Sequence, residues 1–83
     1  MIEVYGKPDC VWCEKAKSLL ESRKVPYSYY SVGDDIDIEQ IKEKFPGVKT
    51  VPIITVDGFR IGGYESLQGY LEETSGGHGD GAL

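Results

Sequence analysis

The chain has 83 residues and carries a net charge of −5 from 9 basic and 14 acidic side chains. That length gives one compact domain with a modest core, and an apolar fraction of 40% is ordinary for a globular protein. The negative charge disfavours binding to nucleic acid and to anionic membrane surfaces, which attract positive proteins. No apolar run approaches the roughly 20 residues that span a bilayer, and the first residues lack the pattern of a signal peptide. We therefore expect a cytoplasmic protein that binds neither nucleic acid nor membrane.

The first part of the chain predicts a strand, a helix and a second strand. The β-prone run at residues 1–6 predicts the first strand, and apolar residues at helical spacing predict a helix from about Cys10 to Lys24. Aromatic and β-branched residues from Tyr27 to Val32 predict the second strand. The later elements are a helix with a predicted N-cap at Asp35, a strand over 51–56, a two-residue turn at Asp57-Gly58, a strand over 59–61 and a helix over 64–73.

These elements follow the order β-α-β-α-β-β-α, which predicts the α/β class. A helix separates the first two strands, so they should run parallel through a right-handed crossover. The last two strands form a hairpin and should be antiparallel. We therefore expect one mixed four-stranded sheet flanked by helices, in a single domain over residues 1–74. The glycine-rich residues 75–83 have almost nothing to bury and are predicted to be a disordered tail.

Both cysteines lie within one tetrapeptide, Cys10-Val11-Trp12-Cys13. A disulfide between them closes a very small loop and removes little entropy from the unfolded chain, so redox chemistry explains the pair better than stapling does. Cys10 lies where the loop becomes a helix, and the unpaired N–H groups and the helix dipole favour its thiolate there. Lys7 adds positive charge, while Asp9 and Glu14 oppose it. We expect a lowered pKa for Cys10, which makes it the attacking thiol.

Cys13 lies one turn further along the same helix face, where we expect it to be more buried and less ionised. Such a thiol can resolve a mixed disulfide on Cys10. Two other uses of the pair stay open. Structural zinc would need two further Cys or His ligands, and His78 is the one histidine of the sequence, so no metal is expected. Both thiols could instead serve only as small apolar side chains.

Three segments of the chain resemble the glutaredoxin family. Residues 5–13, Tyr-Gly-Lys-Pro-Asp-Cys-Val-Trp-Cys, resemble the active-site segment of that family. Residues 50–52, Thr-Val-Pro, match its TVP element. Residues 62–67 match its Gly-Gly-x-Asp-x-Leu element, with Glu65 in place of the usual Asp. The segments occur in the order and spacing of the family, and the resemblance covers about residues 1–74.

The resemblance implies a thioredoxin fold and a dithiol glutaredoxin, an enzyme that reduces protein disulfides and glutathione mixed disulfides with glutathione as its reductant. It implies that Pro52 is cis and faces the cysteines, and that the backbone of Val51 pairs with the cysteinyl part of glutathione. The glycine carboxylate of glutathione would approach Lys7, and the γ-glutamyl carboxylate would meet the backbone at Tyr64 and Glu65. The implied glutathione site consists of Lys7, Thr50, Val51, Pro52, Gly63, Tyr64 and Glu65.

The last part of that site also has a reason in the residues themselves. Gly62-Gly63 precedes a predicted helix. The N-terminus of a helix is an anion site, and glycines let a ligand approach the backbone closely. A plain strand-to-helix turn without a ligand is the alternative.

The residues between the cysteines are Val-Trp, where many dithiol members have Pro-Tyr. This departure leaves open an iron–sulfur cluster held between two chains. A thioredoxin-like donor reduced by a flavoprotein reductase is a further alternative. We expect a monomer whose partners are glutathione and disulfide-bearing proteins. The chain resembles the short bacterial and phage members, many of which serve ribonucleotide reductase, and this makes that enzyme a candidate partner.

Overall fold

The computed structural model describes residues 1–71 and 81–82. In chain order its elements are β1 (Ile2–Gly6), α1 (Val11–Ser22), β2 (Tyr27–Ser31), α2 (Ile38–Lys44), β3 (Thr50–Val51), β4 (Ile53–Val56), β5 (Phe59–Gly62), α3 (Tyr64–Tyr70) and β6 (Gly81–Ala82). None of the helices in this part of the chain is long and apolar enough to cross a bilayer.

Four strands form one mixed sheet in the order β2-β1-β4-β5. β1 runs parallel to β2, with Ile2 opposite Tyr27 and Gly6 opposite Ser31. β4 is antiparallel to both of its neighbours, β1 and β5. The predicted parallel crossover and the predicted hairpin are therefore both confirmed. The pairing of β4 with β1 was not predicted from the sequence. It brings the two halves of the chain into one sheet.

The sheet separates two hydrophobic clusters, because successive side chains of a strand point to opposite faces. In β1, Val4 belongs to one cluster and Tyr5 to the other. In β4, Ile54 and Ile53 divide in the same way. The first, here named the α1–α3 cluster, consists of Ile2, Val4, Ala16, Leu20, Ile54 and Leu67. The second, the cysteine cluster, consists of Tyr5, Cys10, Cys13, Ile41, Phe45, Val48, Val51 and Ile53.

Two predicted element boundaries are wrong. The predicted strand over 51–56 is divided at Pro52, which has no N–H to give to a strand ladder, so β3 and β4 are separate strands. Asp35 is not the N-cap of α2, because Asp37 occupies that position and its backbone N–H donates to the side-chain oxygen of Gln40 at 2.9 Å. Asp35 instead accepts a hydrogen bond from the backbone N–H of Ser31 at 2.8 Å, so it stabilises the turn after β2.

The predicted tail falls mainly outside the described residues, which leave out 72–80 and 83. At Gly81 and Ala82 the structure differs from the predicted disorder, because these residues form β6 and pair antiparallel with Val51 and Thr50. An unpaired strand edge presents N–H and C=O groups that a second extended segment can satisfy. The short strand β3 therefore offers backbone pairing to the end of its own chain.

Tyr27 links β2 to α1. Its hydroxyl donates a hydrogen bond to Oε2 of Glu21 at 2.5 Å. Burial, followed by this hydrogen bond, raises the pKa of Tyr27 to about 12 from the ordinary value of 10.0. The phenol thus keeps its proton in the folded chain at a pH where the unfolded chain has lost it.

Replacing Tyr27 by Phe should flatten the alkaline part of the stability profile. Between about pH 10 and about pH 12 the folded chain holds a proton that the unfolded chain releases, so the free energy of unfolding falls as the pH rises through this range. The Tyr27→Phe variant has no such proton and should lose less stability over the same range, as measured by urea unfolding. Parallel profiles for the two proteins would contradict this.

Candidate active site

Cys10 and Cys13 form a disulfide at the start of α1, with their Cα atoms 5.2 Å apart. Cys10 is the N-cap residue of the helix, and its Sγ accepts a hydrogen bond from the backbone N–H of Cys13 at 3.2 Å. The predicted position of Cys10 at the junction of loop and helix is confirmed. An N–H group that reaches the sulfur in this way favours a negative charge there once the disulfide opens.

The two cysteine residues differ in their exposure to solvent. Cys10 is 6% exposed and Cys13 is completely buried, which is the order expected from the sequence. The preceding loop explains why the helix begins here. Asp9 has a left-handed φ of 58°, a region that Asp tolerates better than most residues, and Cys10 returns to extended backbone before the first helical residue.

Basic side chains line the first two turns of α1. Nζ of Lys17 pairs with the carboxylate of Glu14 at 2.8 Å, and this hydrogen bond is the main cause that raises the pKa of Lys17. Nζ of Lys15 lies 4.7 Å from the centre of the Trp12 ring, within cation–π range. Because Glu14 is paired, its charge opposes a thiolate on Cys10 less than the sequence alone indicates.

Trp12 connects the cysteine segment to the beginning of α3. Its ring centre lies 5.5 Å from that of Tyr64, the first residue of α3, and the indole also packs against the cysteine cluster. Trp12 is thus packed against its own domain. The start of α3 therefore lies beside the redox pair.

The Thr-Val-Pro segment borders the cysteines through Val51. Val51 and Pro52 are fully buried, and Val51 belongs to the cysteine cluster. The peptide bond between them is cis, so the isomer that the family resemblance implies is confirmed. Thr50 is half-buried at the edge of the same segment.

Gly62 and Gly63 lead from β5 into α3. Gly62 has a φ of 135°, and a Cβ at this position would overlap the side chain of Ser66, so glycine is required. Gly63 is the N-cap of α3 and has no side chain to cap it. Glu65 is exposed in the first turn of α3, Tyr64 is half-buried, and Lys7 is half-buried in the loop before Cys10.

Two residues at this site, Gly6 and Tyr29, were not predicted from the sequence. A Cβ built on Gly6 would lie 2.9 Å from Sγ and 3.0 Å from Cβ of Cys13, and it would overlap the hydroxyl of Tyr29. The sulfur and the hydroxyl therefore flank one point beside the end of β1. A glycine inside a strand is a recognised sign of such a close approach, and this signal was present at Gly6.

No group of three or more His, Cys, Asp or Glu side chains is arranged to hold a metal ion within residues 1–71. His78 lies outside the described residues.

The strand order, the cis proline and the Cys-x-x-Cys pair at a helix N-terminus define a thioredoxin-like fold. The structure of reduced glutaredoxin from Escherichia coli shares it with a TM-score of 0.71 and 29% identity, over 86% of this chain and 92% of that one. The glutaredoxin–glutathione complex from buckwheat shares the fold with a TM-score of 0.73 and 24% identity, over 86% of this chain and 67% of that one.

The sequence comparisons identify the family. The Glutaredoxin family model matches residues 2–61. Glutaredoxin 3 of Escherichia coli (strain K12) is 33% identical over 76 residues, which cover 92% of this chain and 89% of that protein. The chain belongs to the glutaredoxin family, and membership of this family makes it a thiol–disulfide oxidoreductase.

Replacing Gly6 by Ala should destabilise the protein by about 1 to 3 kcal/mol, because the added methyl group has no free space beside Cys13 and Tyr29. Gly69→Ala is the matched control, since a Cβ at that helical position meets no atom within 4 Å. It should be neutral or should stabilise the protein by up to about 1 kcal/mol. Urea unfolding of both variants measures the difference, and a Gly6→Ala variant as stable as the control would contradict the packing described here.

Proposed function

We propose that this chain is a dithiol glutaredoxin that reduces protein disulfides and glutathione mixed disulfides, with glutathione as its reductant. The observation that carries the proposal is the position of Cys10, whose sulfur accepts an N–H of the first turn of α1 while Cys13 lies buried behind it. That arrangement gives one sulfur that is favoured as a thiolate and a second sulfur in reach to resolve.

The proposed reaction begins with the reduced pair. The Cys10 thiolate attacks one sulfur of a substrate disulfide, forms a mixed disulfide and releases the first substrate thiolate, which takes up a proton. Cys13 then loses its proton and attacks Sγ of Cys10. The second substrate thiolate leaves, and the Cys10–Cys13 disulfide seen in the structure remains. One disulfide is reduced and one dithiol is oxidised, so the electrons balance.

Two glutathione molecules would return the pair to its reduced state. The first attacks Cys10 as a thiolate and displaces the Cys13 sulfur, and the second attacks the resulting mixed disulfide. The products are oxidised glutathione and the free dithiol. The cytoplasm, where glutathione keeps thiols reduced, is the compartment that suits this cycle, and it is the location we propose.

The proposed glutathione site follows the residues implied by the family resemblance. The backbone of Val51 would pair with the cysteinyl part, Lys7 would approach the glycine carboxylate, and the start of α3 would receive the γ-glutamyl carboxylate. The contact between Trp12 and Tyr64 supports this, because it holds the start of α3 beside the cysteines. The buckwheat glutaredoxin, which shares the fold, is a complex with glutathione. The full proposed set is Lys7, Thr50, Val51, Pro52, Gly63, Tyr64 and Glu65.

One feature of the structure bears directly on this site. β6 already pairs with β3 at Val51 and Thr50. Glutathione and the end of the chain would therefore use the same short strand. A protein substrate, for which ribonucleotide reductase is our candidate, would approach Cys10 at the same end of the sheet.

The proposed roles of the two cysteines predict different losses in two matched variants. Cys10→Ser should abolish all turnover, because it removes the attacking sulfur. Cys13→Ser should still reduce glutathione mixed disulfides, which need one thiol, but should lose reduction of protein disulfides. The measurement is a glutathione-coupled assay with each kind of substrate, and equal losses in both variants would contradict the assigned roles.

The same assay separates the proposed reductant from its alternatives. The wild-type protein should turn over with glutathione, and a flavoprotein thioredoxin reductase should not replace it. Turnover with the flavoprotein alone would mean that the chain is a thioredoxin-like donor. A coloured preparation that carries iron and shows no turnover would mean that the pair holds a cluster.

A further inference from the structure

When the disulfide is reduced, the leaving group is the sulfur of Cys13, which lies in apolar surroundings. Cys13 is completely buried within the cysteine cluster. When the disulfide is reduced, Cys13 Sγ departs with the electron pair of the S–S bond, and burial disfavours a charged sulfur that has no hydrogen-bond donor. Cys10 has the backbone N–H of Cys13 as its donor. The sulfur of Cys13 needs a different hydrogen-bond donor.

A hydroxyl group lies beside this sulfur. Tyr29 is the middle residue of β2, opposite Val4, and its ring packs against the α1–α3 cluster. The hydroxyl oxygen and Sγ of Cys13 both lie close to the point that a Cβ of residue 6 would occupy. Because Gly6 has no side chain, both atoms can lie close to this same point.

The neighbouring tyrosines of β2 use their hydroxyl groups elsewhere. Tyr27 donates to Glu21, and Tyr30 donates to Glu3 at 3.4 Å. The ring of Tyr29 lies beneath Nζ of Lys17 at 4.2 Å, but its hydroxyl makes no hydrogen bond to the residues that the structure describes. The O–H of Tyr29 is thus available to donate a hydrogen bond to a sulfur that becomes negatively charged.

The phenol of Tyr29 keeps its proton at neutral pH. Burial is the main cause that raises its pKa above the ordinary value of 10.0, and Glu14 and Asp35 act in the same direction. Lys17, the charged group over the ring, acts in the opposite direction. The net effect leaves Tyr29 a donor across the range in which thiols ionise.

We propose that the Tyr29 hydroxyl donates a hydrogen bond to the Cys13 sulfur when the disulfide opens, and so stabilises the Cys13 thiolate. This rests on the proposed function, since it assigns a residue to the resolving step. In reduction, an external thiolate bonds to Sγ of Cys10, the Cys10–Cys13 bond breaks, and its electron pair goes to Sγ of Cys13 beside the hydroxyl. In resolution, the Cys13 thiolate attacks Sγ of Cys10 and the substrate thiolate leaves. Tyr29 donates a hydrogen bond in both directions and keeps its proton.

The first experiment measures the pKa of Cys13 directly. In a Cys10→Ser background only one thiol titrates, and thiolate absorbance at 240 nm follows it when the titration of the matching protein with Cys13→Ser, in which only the tyrosines contribute, is subtracted. Adding Tyr29→Phe should move the Cys13 titration to higher pH by roughly one to two units, because a hydrogen bond to the charged form is lost. Tyr27→Phe in the same background is the matched control and should leave that titration in place. The charged neighbours Lys17, Glu14 and Asp35 are unchanged in all three proteins.

The second experiment measures Cys13 as a leaving group without using glutathione. Dithiothreitol reduces the oxidised protein by attack at Cys10, and the fluorescence of Trp12, the one tryptophan of the sequence, follows the reaction. Tyr29→Phe should slow the reduction roughly three- to tenfold, because a thiol of higher pKa leaves more slowly. Tyr27→Phe should react at the wild-type rate.

An unchanged Cys13 titration in the Tyr29→Phe background would overturn the assignment. Tyr29→Phe keeps the ring under Lys17, and thermal unfolding of each variant verifies that the fold is retained. Because neither measurement involves glutathione, a positive result with an inactive glutathione assay would contradict only the proposed function. A negative result with an active glutathione assay would contradict only the role of Tyr29.

Discussion

The hydrogen bond from the backbone N–H of Cys13 to the sulfur of Cys10 is the interaction on which the site depends. It caps α1, so the helix begins at Val11 and the sulfur of Cys10 lies at the positive end of the helix dipole. The same contact brings Cys13 into range of Cys10 one turn later. The start of the helix and the proposed activation of the Cys10 thiol therefore share one physical cause.

The far side of the pair is set by close packing rather than by charge. Gly6 ends the central strand β1, and the space that a larger residue would fill is shared by the Cys13 side chain and the Tyr29 hydroxyl. The parallel pairing of β1 with β2 places Tyr29 there. The Cys10 sulfur thus accepts a backbone N–H of the helix, and the Cys13 sulfur and the Tyr29 hydroxyl lie close to one point beside Gly6. The difference suits an attacking thiol and a resolving thiol.

Local patterns in the sequence were sufficient for the order of the four strands of the main sheet and the three helices, the parallel crossover, the hairpin and the position of Cys10. They failed at Asp35, whose side chain accepts a hydrogen bond in the turn instead of capping α2, and at Pro52, whose missing N–H ends a strand. The contact between Trp12 and Tyr64, and the approach of Tyr29 to Cys13, join residues far apart in the chain. No periodicity within one element could reveal them, because they depend on how β1 lies between β2 and β4.

The most direct test of the capped sulfur is a thiol titration of the reduced Cys13→Ser variant, in which only Cys10 ionises. Thiolate absorbance at 240 nm should rise with a midpoint below about pH 7.5, as expected for a cysteine that accepts an N–H at a helix N-terminus. A midpoint at or above roughly pH 8.5, the value of an unperturbed thiol, would contradict the view that the start of α1 activates Cys10.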